Sequence, residues 1–461
     1  MYRHNNGTGK RVKKVMIIHA EQALLPDGWA RDVRVSLAGR AVRSVETGVP
    51  AEPGDERVAV LLPGTPNLHS HAFQRAMAGL AETRGPGADS FWSWRETMYR
   101  FAHRLSPDEA EAVAAQAYAE MLEAGFTRVG EFHYLHHAED GSLYANPAEM
   151  AERIAAGAHQ AGIGLTLLPV FYARSGFGGA APSDAQRRFV STLDTYARML
   201  EGSGAALKNL EGGVLGVAPH SLRAVTPEEL AAVAALTSGP IHIHVAEQVR
   251  EVEDCLAWSG ARPVEWLLGH APVDHRWCLI HATHMTDAET RALAASGAVA
   301  GLCPETEANL GDGIFPAPAF LEAGGAWGVG TDSNIRIGLS GELRQLEYSQ
   351  RLGLRARNVV AVPGGSTGRQ LFDGALAGGA QALGWRSGIA EGLAADLVAL
   401  APSAPAALDG DALLDRWVFA DGASVSSVWV GGRRLVENGR HIDREGIAKR
   451  FALAVERLAG R

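Results

Sequence analysis

The middle of the chain alternates short apolar runs with longer segments in which apolar residues recur at helical spacing. Eight apolar runs can be marked, and they end near positions 71, 133, 171, 220, 244, 281, 304 and 332. The segments between them predict helices over 107–124, 147–161, 227–237, 249–268 and 287–295. This order is typical of parallel βα units. Eight such units predict an α/β fold built on a (β/α)8 TIM-type barrel.

Both ends of the chain instead alternate apolar and polar residues one by one, as half-buried strands do. Residues 32–37 and 426–430 are examples, and the pairs Ala38-Gly39 and Gly431-Gly432 supply turns. We therefore predict a small β-sandwich formed from both chain termini, residues 15–62 and 388–461, around a barrel domain of residues 63–387. The polar residues 1–14 predict a disordered tail.

The bulk composition excludes several classes of protein. The 461 residues carry 43 basic and 52 acidic side chains, a net charge of -9, and the basic residues are spread along the chain. This distribution argues against a nucleic-acid partner. No stretch reaches the roughly 20 apolar residues of a membrane helix. The three cysteines form no C-x-x-C pair, which is typical of reduced thiols in a cytoplasmic protein.

Four residues at the ends of the predicted barrel strands have the chemistry of metal ligands. His69 and His71 are two positions apart on the first strand, so both side chains can lie on one face. His244 ends the fifth strand and Asp332 the eighth. Because strand ends of a barrel converge on one mouth, we predict that these residues bind one ion. Three imidazoles and one carboxylate suit a catalytic Zn²⁺, although Fe²⁺ or Mn²⁺ could also occupy such a site.

Other residues near the same strand ends are candidates for catalysis and substrate binding. His281 ends the sixth strand and is either a further ligand or a base. His281 and Asp332 are the candidates for accepting a proton from the attacking water. Glu247 follows His244 by three residues and can be a proton donor, or it can be a carboxylate favoured by a helix N-terminus. Arg223 follows His220 by three residues and suits a carboxylate.

The strand-end residues also carry a family resemblance. His69-Ser-His71, His244-Val-Ala-Glu247, His281 and Thr331-Asp332 resemble the amidohydrolase superfamily, in its branch of mononuclear deaminases. Members with two metal ions usually have a lysine on the fourth strand, where this chain has Val217-Ala-Pro-His220. The resemblance therefore implies one metal ion per chain.

Longer stretches are similar to one family of this branch, the formimidoylglutamate deiminases. They are residues 69–80, 91–95, 131–134, 218–223, 242–248, 303–309 and 330–334. The resemblance implies zinc-dependent hydrolysis of N-formimidoyl-L-glutamate to N-formyl-L-glutamate and ammonia in histidine degradation, by a cytoplasmic homodimer. It also implies five substrate contacts: Gln74, Arg95, Tyr134, His220 and Arg223.

Simpler interpretations of two contacts and several rival functions stay open at this point. Arg95 could be an exposed loop arginine stacked on Trp92 or Trp94, and Tyr134 could pack at the barrel rim. The chain could be a deaminase of a nucleobase or nucleoside, with aromatic or apolar walls around its substrate. It could also hydrolyse an amide or lactam. A non-catalytic barrel scaffold would have lost metal ligands, and this sequence has the full set.

Overall fold

The chain forms alternating strands and helices between two end segments rich in strands. The computed structural model describes residues 16–84, 90–403 and 409–459, so the tail predicted for residues 1–14 lies outside the described part. The strands are β1 (Met16–Leu25), β2 (Gly28–Ala38), β3 (Ala41–Glu46), β4 (Glu56–Pro63), β5 (Thr65–Ser70), β6 (Phe126–His133), β7 (Gly164–Phe171), β8 (Val214–Leu215), β9 (Ala218–Pro219), β10 (Ile241–Val245), β11 (Trp277–His281), β12 (Val299–Leu302), β13 (Ala326–Val329), β14 (Leu397–Pro402), β15 (Ala423–Val430), β16 (Arg433–Glu437) and β17 (Arg440–His441).

Helices follow most strands of the central part. The α-helices are α1 (Phe91–Ala102), α2 (Pro107–Glu123), α3 (Glu149–Ala161), α4 (Leu193–Leu207), α5 (Pro227–Ala234), α6 (Val249–Ser259), α7 (Pro263–His270), α8 (Asp287–Ser296), α9 (Pro304–Leu310), α10 (Ala317–Glu322), α11 (Leu339–Leu354), α12 (Thr367–Ala382), α13 (Asp411–Ala420) and α14 (Arg444–Ala459). Two 3-10 helices span Ala72–Met77 and Asp184–Gln186. Among the described residues, no helix is both long and apolar enough to cross a lipid bilayer.

Parallel strands β5 to β13 form the barrel that the sequence predicts. One sheet has the order β5-β6-β7-β8, with β9 also paired to β7, and a second has the order β10-β11-β12-β13. The fourth barrel position is thus split between β8 and β9. Parallel bridges Val217–Ile241 and Ser70–Asp332 join the two sheets on either side. The carboxyl ends of these strands therefore meet at one mouth, as the fold requires.

The strands of both chain ends form one eight-stranded sheet. Its order is β17-β16-β15-β14-β4-β1-β2-β3, so β4 and β14 join the N-terminal strands to the C-terminal ones. This sheet has a buried apolar cluster of its own, which includes Val33, Leu61, Leu397 and Trp429. The predicted β segments of both termini thus share one core.

Three local predictions differ from the structure. The helix predicted over 249–268 is two helices, because Gly260 ends α6 in a left-handed conformation and Pro263 begins α7. The segment that begins at Phe91, interpreted as a loop, is helix α1, whose N-terminus is capped by Ser90. The C-terminal segment contains α13 and α14 besides its strands, and Arg450 of α14 forms an ion pair with Glu111 of α2.

Candidate active site

The four predicted metal ligands meet at the mouth of the barrel. His69 lies at the end of β5, His71 directly follows that strand, His244 is on β10, and Asp332 follows β13. Each offers one ligand atom, and these four atoms all lie within 4.8 Å of one another. All four residues are buried. The structure therefore brings together residues that are up to 263 positions apart.

The spacing of the ligand atoms suits a single small cation. The Nε2 atoms of His69 and His244 are 3.1 Å apart, and Asp332 Oδ1 lies 3.4 Å from His69 Nε2 and 3.2 Å from His71 Nε2. A zinc ion with bonds of about 2.0–2.2 Å holds neighbouring ligand atoms roughly 3 to 3.5 Å apart. The donor set and its spacing thus fit the ion that the sequence predicts.

Backbone carbonyls orient two of the imidazoles. His71 Nδ1 lies 2.8 Å from the carbonyl oxygen of Phe132, and His244 Nδ1 lies 3.1 Å from that of His220. A carbonyl only accepts a hydrogen bond, so each Nδ1 carries the proton and each Nε2 presents a lone pair. This arrangement turns both Nε2 atoms into ligands facing the centre of the group.

The electrostatics keep these groups in their metal-binding forms. Burial lowers the pKa of His69 to about 3 and lowers that of His244 well below its ordinary value, so both rings are neutral at pH 7. Burial raises the pKa of Asp332, but its contacts with His69 and His71 outweigh burial and hold that pKa below its ordinary value. Neutral imidazoles beside a carboxylate are the forms that bind a divalent cation.

Several of the strand ends at the mouth have unusual backbone conformations. Ala246, His281 and Asp332 have φ angles of +52°, +68° and +42°. Residues other than glycine rarely adopt this left-handed backbone conformation, and each one lowers the stability of the fold by of order 1–3 kcal/mol. The surrounding structure holds Asp332 in place from both sides: its N–H donates to His69 O, and its carbonyl accepts from His71 N.

Glu247 and His281 lie beside the metal-ligand group. His281 Nε2 is 3.7 Å from Glu247 Oε1 and 3.9 Å from Asp332 Oδ2, and its Nδ1 is 3.2 Å from Glu307 Oε1. His281 is not one of the four converging ligands. Its contacts with two carboxylates of the mouth instead suit a group that accepts and holds a proton.

Burial and charge shift the pKa values of both groups toward such a role. Burial raises the pKa of Glu247 to about 7, so this carboxyl can hold a proton near neutrality. Burial lowers the pKa of His281, but Glu247 and the hydrogen bond with Glu307 outweigh it and raise the pKa to about 10. At neutral pH this imidazole therefore carries a proton, and it can accept another only after it has passed that proton on.

A cavity of about 610 Å³ opens above this group. It contains all the predicted catalytic and substrate-binding residues, together with His71 and His244. Its walls include aromatic rings from several segments: Phe91, Trp94, Tyr99, Tyr134, Tyr172 and Phe189. One enclosed space therefore holds ligands, proton carriers and predicted substrate contacts side by side.

Two arginines reach this cavity. Arg95 lies on α1, where its guanidinium carbon is 4.5 Å from the centre of the Trp92 ring, so it both stacks on a tryptophan and lines the cavity. Arg223 lies after β9 and is mostly buried, with Nη2 4.0 Å from Glu251 Oε2. Arg95 thus stacks on Trp92, as the simpler interpretation expected, although it lies on a helix and not in a loop.

The other predicted substrate contacts line the same cavity. Gln74 is in the 3-10 helix that follows β5, and its Nε2 donates to Tyr134 Oη at 2.9 Å. Tyr134 also lies against His71, with ring centres 4.9 Å apart, so it packs at the rim as well as facing the cavity. His220 Nδ1 is 3.1 Å from Ser221 Oγ. The structure therefore groups all five predicted contacts.

Sequence reasoning did not single out several residues of this site. Glu307 on α9 accepts a hydrogen bond from Cys303 N at 2.9 Å and holds His281. It falls inside the stretch 303–309 that carries the family resemblance, so a signal was present. The aromatic residues Tyr99, Tyr172 and Phe189 had no such signal, because only packing brings their segments together.

Comparisons with known proteins agree with this geometry. Residues 60–435 match the family model described as the amidohydrolase family, and residues 15–59 match the N-terminal domain of "Formimidoylglutamate deiminase HutF". A formimidoylglutamate deiminase of Pseudomonas aeruginosa is 52% identical, over 96% of this chain and 99% of the relative.

Solved structures give the same result for the fold. The crystal structure of an amidohydrolase from Brucella melitensis shares 60% identity with a TM-score of 0.95, covering 96% of this chain and 100% of that one. An adenosine deaminase from Xanthomonas campestris with bound zinc shares 22% identity with a TM-score of 0.79, covering 97% and 99%. The matched fold, the extent of the match and the metal-ligand group agree: the chain belongs to the amidohydrolase family and is a homologue of formimidoylglutamate deiminase.

Proposed function

We propose that the chain hydrolyses N-formimidoyl-L-glutamate to N-formyl-L-glutamate and ammonia. One observation carries the proposal: a single cavity brings a His3Asp ligand group, a buried glutamate and two arginines together. The ligand group and the glutamate suit hydrolysis of a C–N bond at one end of this cavity, and the arginines suit binding of carboxylates at the other. The relative of Pseudomonas aeruginosa, at 52% identity, bears the name of this activity.

The resident ion of the proposal is zinc, held by His69, His71, His244 and Asp332. When bound there, zinc lowers the pKa of water to about 7 and so supplies a nucleophile at neutral pH. Zinc is supported by the spacing of the ligand atoms and by the bound zinc of the Xanthomonas campestris deaminase, which has the same fold. One ion per chain, a homodimer and a place in cytoplasmic histidine degradation belong to the proposal, since the family resemblance implies them.

The proton transfers of the proposal use three side chains. The attacking water gives its proton to Asp332, or to His281 once that ring has released its own proton; His281 Nε2 and Asp332 Oδ2 are 3.9 Å apart. Glu247, with a pKa raised by burial to about 7, protonates the imino nitrogen, regains a proton that the water has released and then protonates the departing amine. Glu247 Oε1 lies 3.7 Å from His281 Nε2, so a proton accepted at His281 is close to the group that must donate one.

The substrate carboxylates bind to Arg95 and Arg223 in the proposal. An arginine keeps its charge at all relevant pH values and forms paired hydrogen bonds with a carboxylate. Within the described part of the chain, the buried Arg223 Nε and Gln74 Oε1 atoms meet no hydrogen-bond partner. A buried polar atom without a partner is costly, so a bound ligand that satisfies Arg223 Nε would be stabilised.

A nucleobase or nucleoside deaminase is the second candidate, because the aromatic walls of the cavity also suit a base. The two arginines favour the dicarboxylate, since a neutral base would leave both cations facing it. Ammonia release decides between the candidates. The zinc-loaded protein is assayed with N-formimidoyl-L-glutamate, N-formimidoyl-L-aspartate, adenosine, guanine and cytosine, with and without prior chelation.

We expect kcat/KM for N-formimidoyl-L-glutamate to exceed that for every nucleobase compound by at least about 100-fold, the scale of one desolvated carboxylate–arginine pair. Chelation should abolish turnover, and added zinc should restore it. Turnover of a base or nucleoside, with none of the formimidoyl compounds, would overturn the proposal in favour of the second candidate.

A further inference from the structure

A second cavity adjoins the active-site cavity and shares two residues with it. Arg95 and Arg223 line both spaces. The outer cavity has a volume of about 940 Å³, and its other lining residues include Trp92, Arg250, Asp254 and Trp258. A ligand that moves from this outer cavity into the active-site cavity therefore passes the same two arginines that we assign to substrate binding.

Three arginines of the outer cavity surround one tryptophan ring. The guanidinium carbons of Arg95, Arg250 and Arg223 lie 4.5, 4.9 and 6.0 Å from the centre of the Trp92 ring. They come from separate parts of the chain: α1, α6 and the turn after β9. Three distant segments thus place positive charge around one aromatic face.

The charges in this space do not balance. Among the described residues, three arginines and one aspartate line the outer cavity, and Glu251 Oε2 lies 4.0 Å from Nη2 of one of these arginines, Arg223. Asp254 Oδ2 lies 3.7 Å from Arg250 Nε, and both side chains are more than half exposed, so water screens this pair. A tryptophan ring attracts a cation but does not neutralise its charge. An excess of positive charge remains at the entrance.

The wall of the outer cavity is built from aromatic rings. Phe177 and Trp258 stack with ring centres 5.5 Å apart, and both residues line the cavity. Arg250 is the arginine of this space that lies outside the inner cavity. Low-dielectric walls around a cluster of like charges concentrate the field inside the opening, which raises the local concentration of oppositely charged ligands.

We propose that Arg250 and Trp92 form an outer capture site, which binds a small dicarboxylate before it reaches Arg95 and Arg223. Arg250 is a specificity-determining residue in this proposal and takes no part in the chemical step. A carboxylate of the incoming molecule contacts Arg250 first and then moves inward to the shared pair of arginines. The identity of the dicarboxylate rests on the proposed function. The existence of an anion-binding site at this place does not.

The first test measures the kinetics of Arg250→Gln, with Arg291→Gln as the matched control. Arg291 is exposed on α8 and its substitution removes the same charge elsewhere. For wild type and both variants, kcat and KM for N-formimidoyl-L-glutamate are measured at ionic strengths from about 0.02 to 0.3 M, which shortens the screening length from roughly 20 Å to below 8 Å.

We expect Arg250→Gln to lower kcat/KM about 3- to 10-fold at low ionic strength, with kcat unchanged within about 2-fold, and to flatten the dependence of kcat/KM on salt. Arg250→Lys, which keeps the charge, should retain most of that salt dependence. Arg291→Gln should match wild type. Equal kcat/KM and equal salt dependence in Arg250→Gln and Arg291→Gln would overturn the proposal.

The second test does not require turnover. Glutarate is a dicarboxylate with no reactive nitrogen, and its binding to the zinc-loaded protein is measured by calorimetry. We expect Arg250→Gln to weaken glutarate binding about 3- to 10-fold at low ionic strength and Arg291→Gln to leave it unchanged. If these shifts occur in a protein that does not hydrolyse formimidoylglutamate, the capture site stands and the proposed function fails. Identical glutarate affinity in wild type and Arg250→Gln overturns the capture site.

Discussion

The two ends of the active-site cavity are built differently. At the inner end, the metal ligands come from β5, β10 and the residues just after β5 and β13. The exposed fraction of each of these four residues is between 0 and 5%. At the outer end, Arg95 and Gln74 lie on helices and Arg223 on a turn, and both arginines keep partial contact with solvent. The barrel strands therefore position the metal-ligand group, whereas in our proposal the segments that follow them bind the substrate carboxylates.

This difference predicts that changes at the inner end remove the reaction, whereas changes at the outer end weaken it for some substrates. The largest effect is expected from His69→Ala. The variant keeps two of the three imidazoles, so it should lose most of its zinc on dialysis and at least about 10³-fold in ammonia release. Metal analysis and the ammonia assay measure both results. His159→Ala, at an exposed position of α3, is the control. A His69→Ala protein with full zinc and full activity would contradict the assigned ligand set.

Glu247→Gln should separate metal binding from proton transfer. The amide has the size of the carboxyl but cannot donate the proton that burial holds on Glu247, so kcat should fall about 10²- to 10⁴-fold. Zinc content should stay at the wild-type level. Glu253→Gln, on the exposed face of α6, provides the matched control. Turnover near wild type in the zinc-loaded Gln variant would remove Glu247 from the mechanism.

Arg223→Met should affect the outer end alone. We expect kcat/KM for N-formimidoyl-L-glutamate to fall, with a loss of transition-state stabilisation of about 2–4 kcal/mol, because a mostly buried charge pair with the substrate is lost. Arg95→Met should cost less, since Arg95 also stacks on Trp92. Zinc content should not change in either variant. The same kcat/KM measurements are made with a formimidoyl compound that has only one carboxylate. If both variants lose as much kcat/KM with this compound as with N-formimidoyl-L-glutamate, neither arginine binds the missing carboxylate.

Glu307→Gln should give the smallest effect of the four. Glu307 holds His281 Nδ1 at 3.2 Å and contributes to the raised pKa of that ring. The neutral amide should lower kcat about 10-fold, leave KM unchanged and move the pH dependence of kcat that reports His281 to lower pH. Glu305→Gln, on the same helix α9, is the control. An unchanged pH profile would leave Glu307 a purely structural role.

The inner end could be predicted from the sequence, because its residues follow strand periodicity. The spacing of His69 and His71 places both side chains on one face, and the observed β6, β7 and β11 end at the predicted positions His133, Phe171 and His281. The amidohydrolase fold and the enzyme class expected from these residues are confirmed by the family match. The catalytic and substrate-binding roles stay predictions.

The outer end could be predicted only in part, because tertiary packing determines it. Nothing near Arg95 in the sequence indicates that Arg223 and Arg250 lie around the same tryptophan ring. The break between α6 and α7 was visible in Gly260 and Pro263, but the apolar periodicity across it favoured one long helix. The split of the fourth barrel strand into β8 and β9 had no such local signal.

The central claim is that one ion occupies the centre of the His3Asp group. Anomalous diffraction at the zinc edge from crystals of the zinc-loaded protein tests it most directly. We expect one peak per chain at about 2.0–2.2 Å from the Nε2 atoms of His69, His71 and His244 and from a carboxylate oxygen of Asp332. A peak elsewhere, or none within bonding distance of these four residues, would contradict the account.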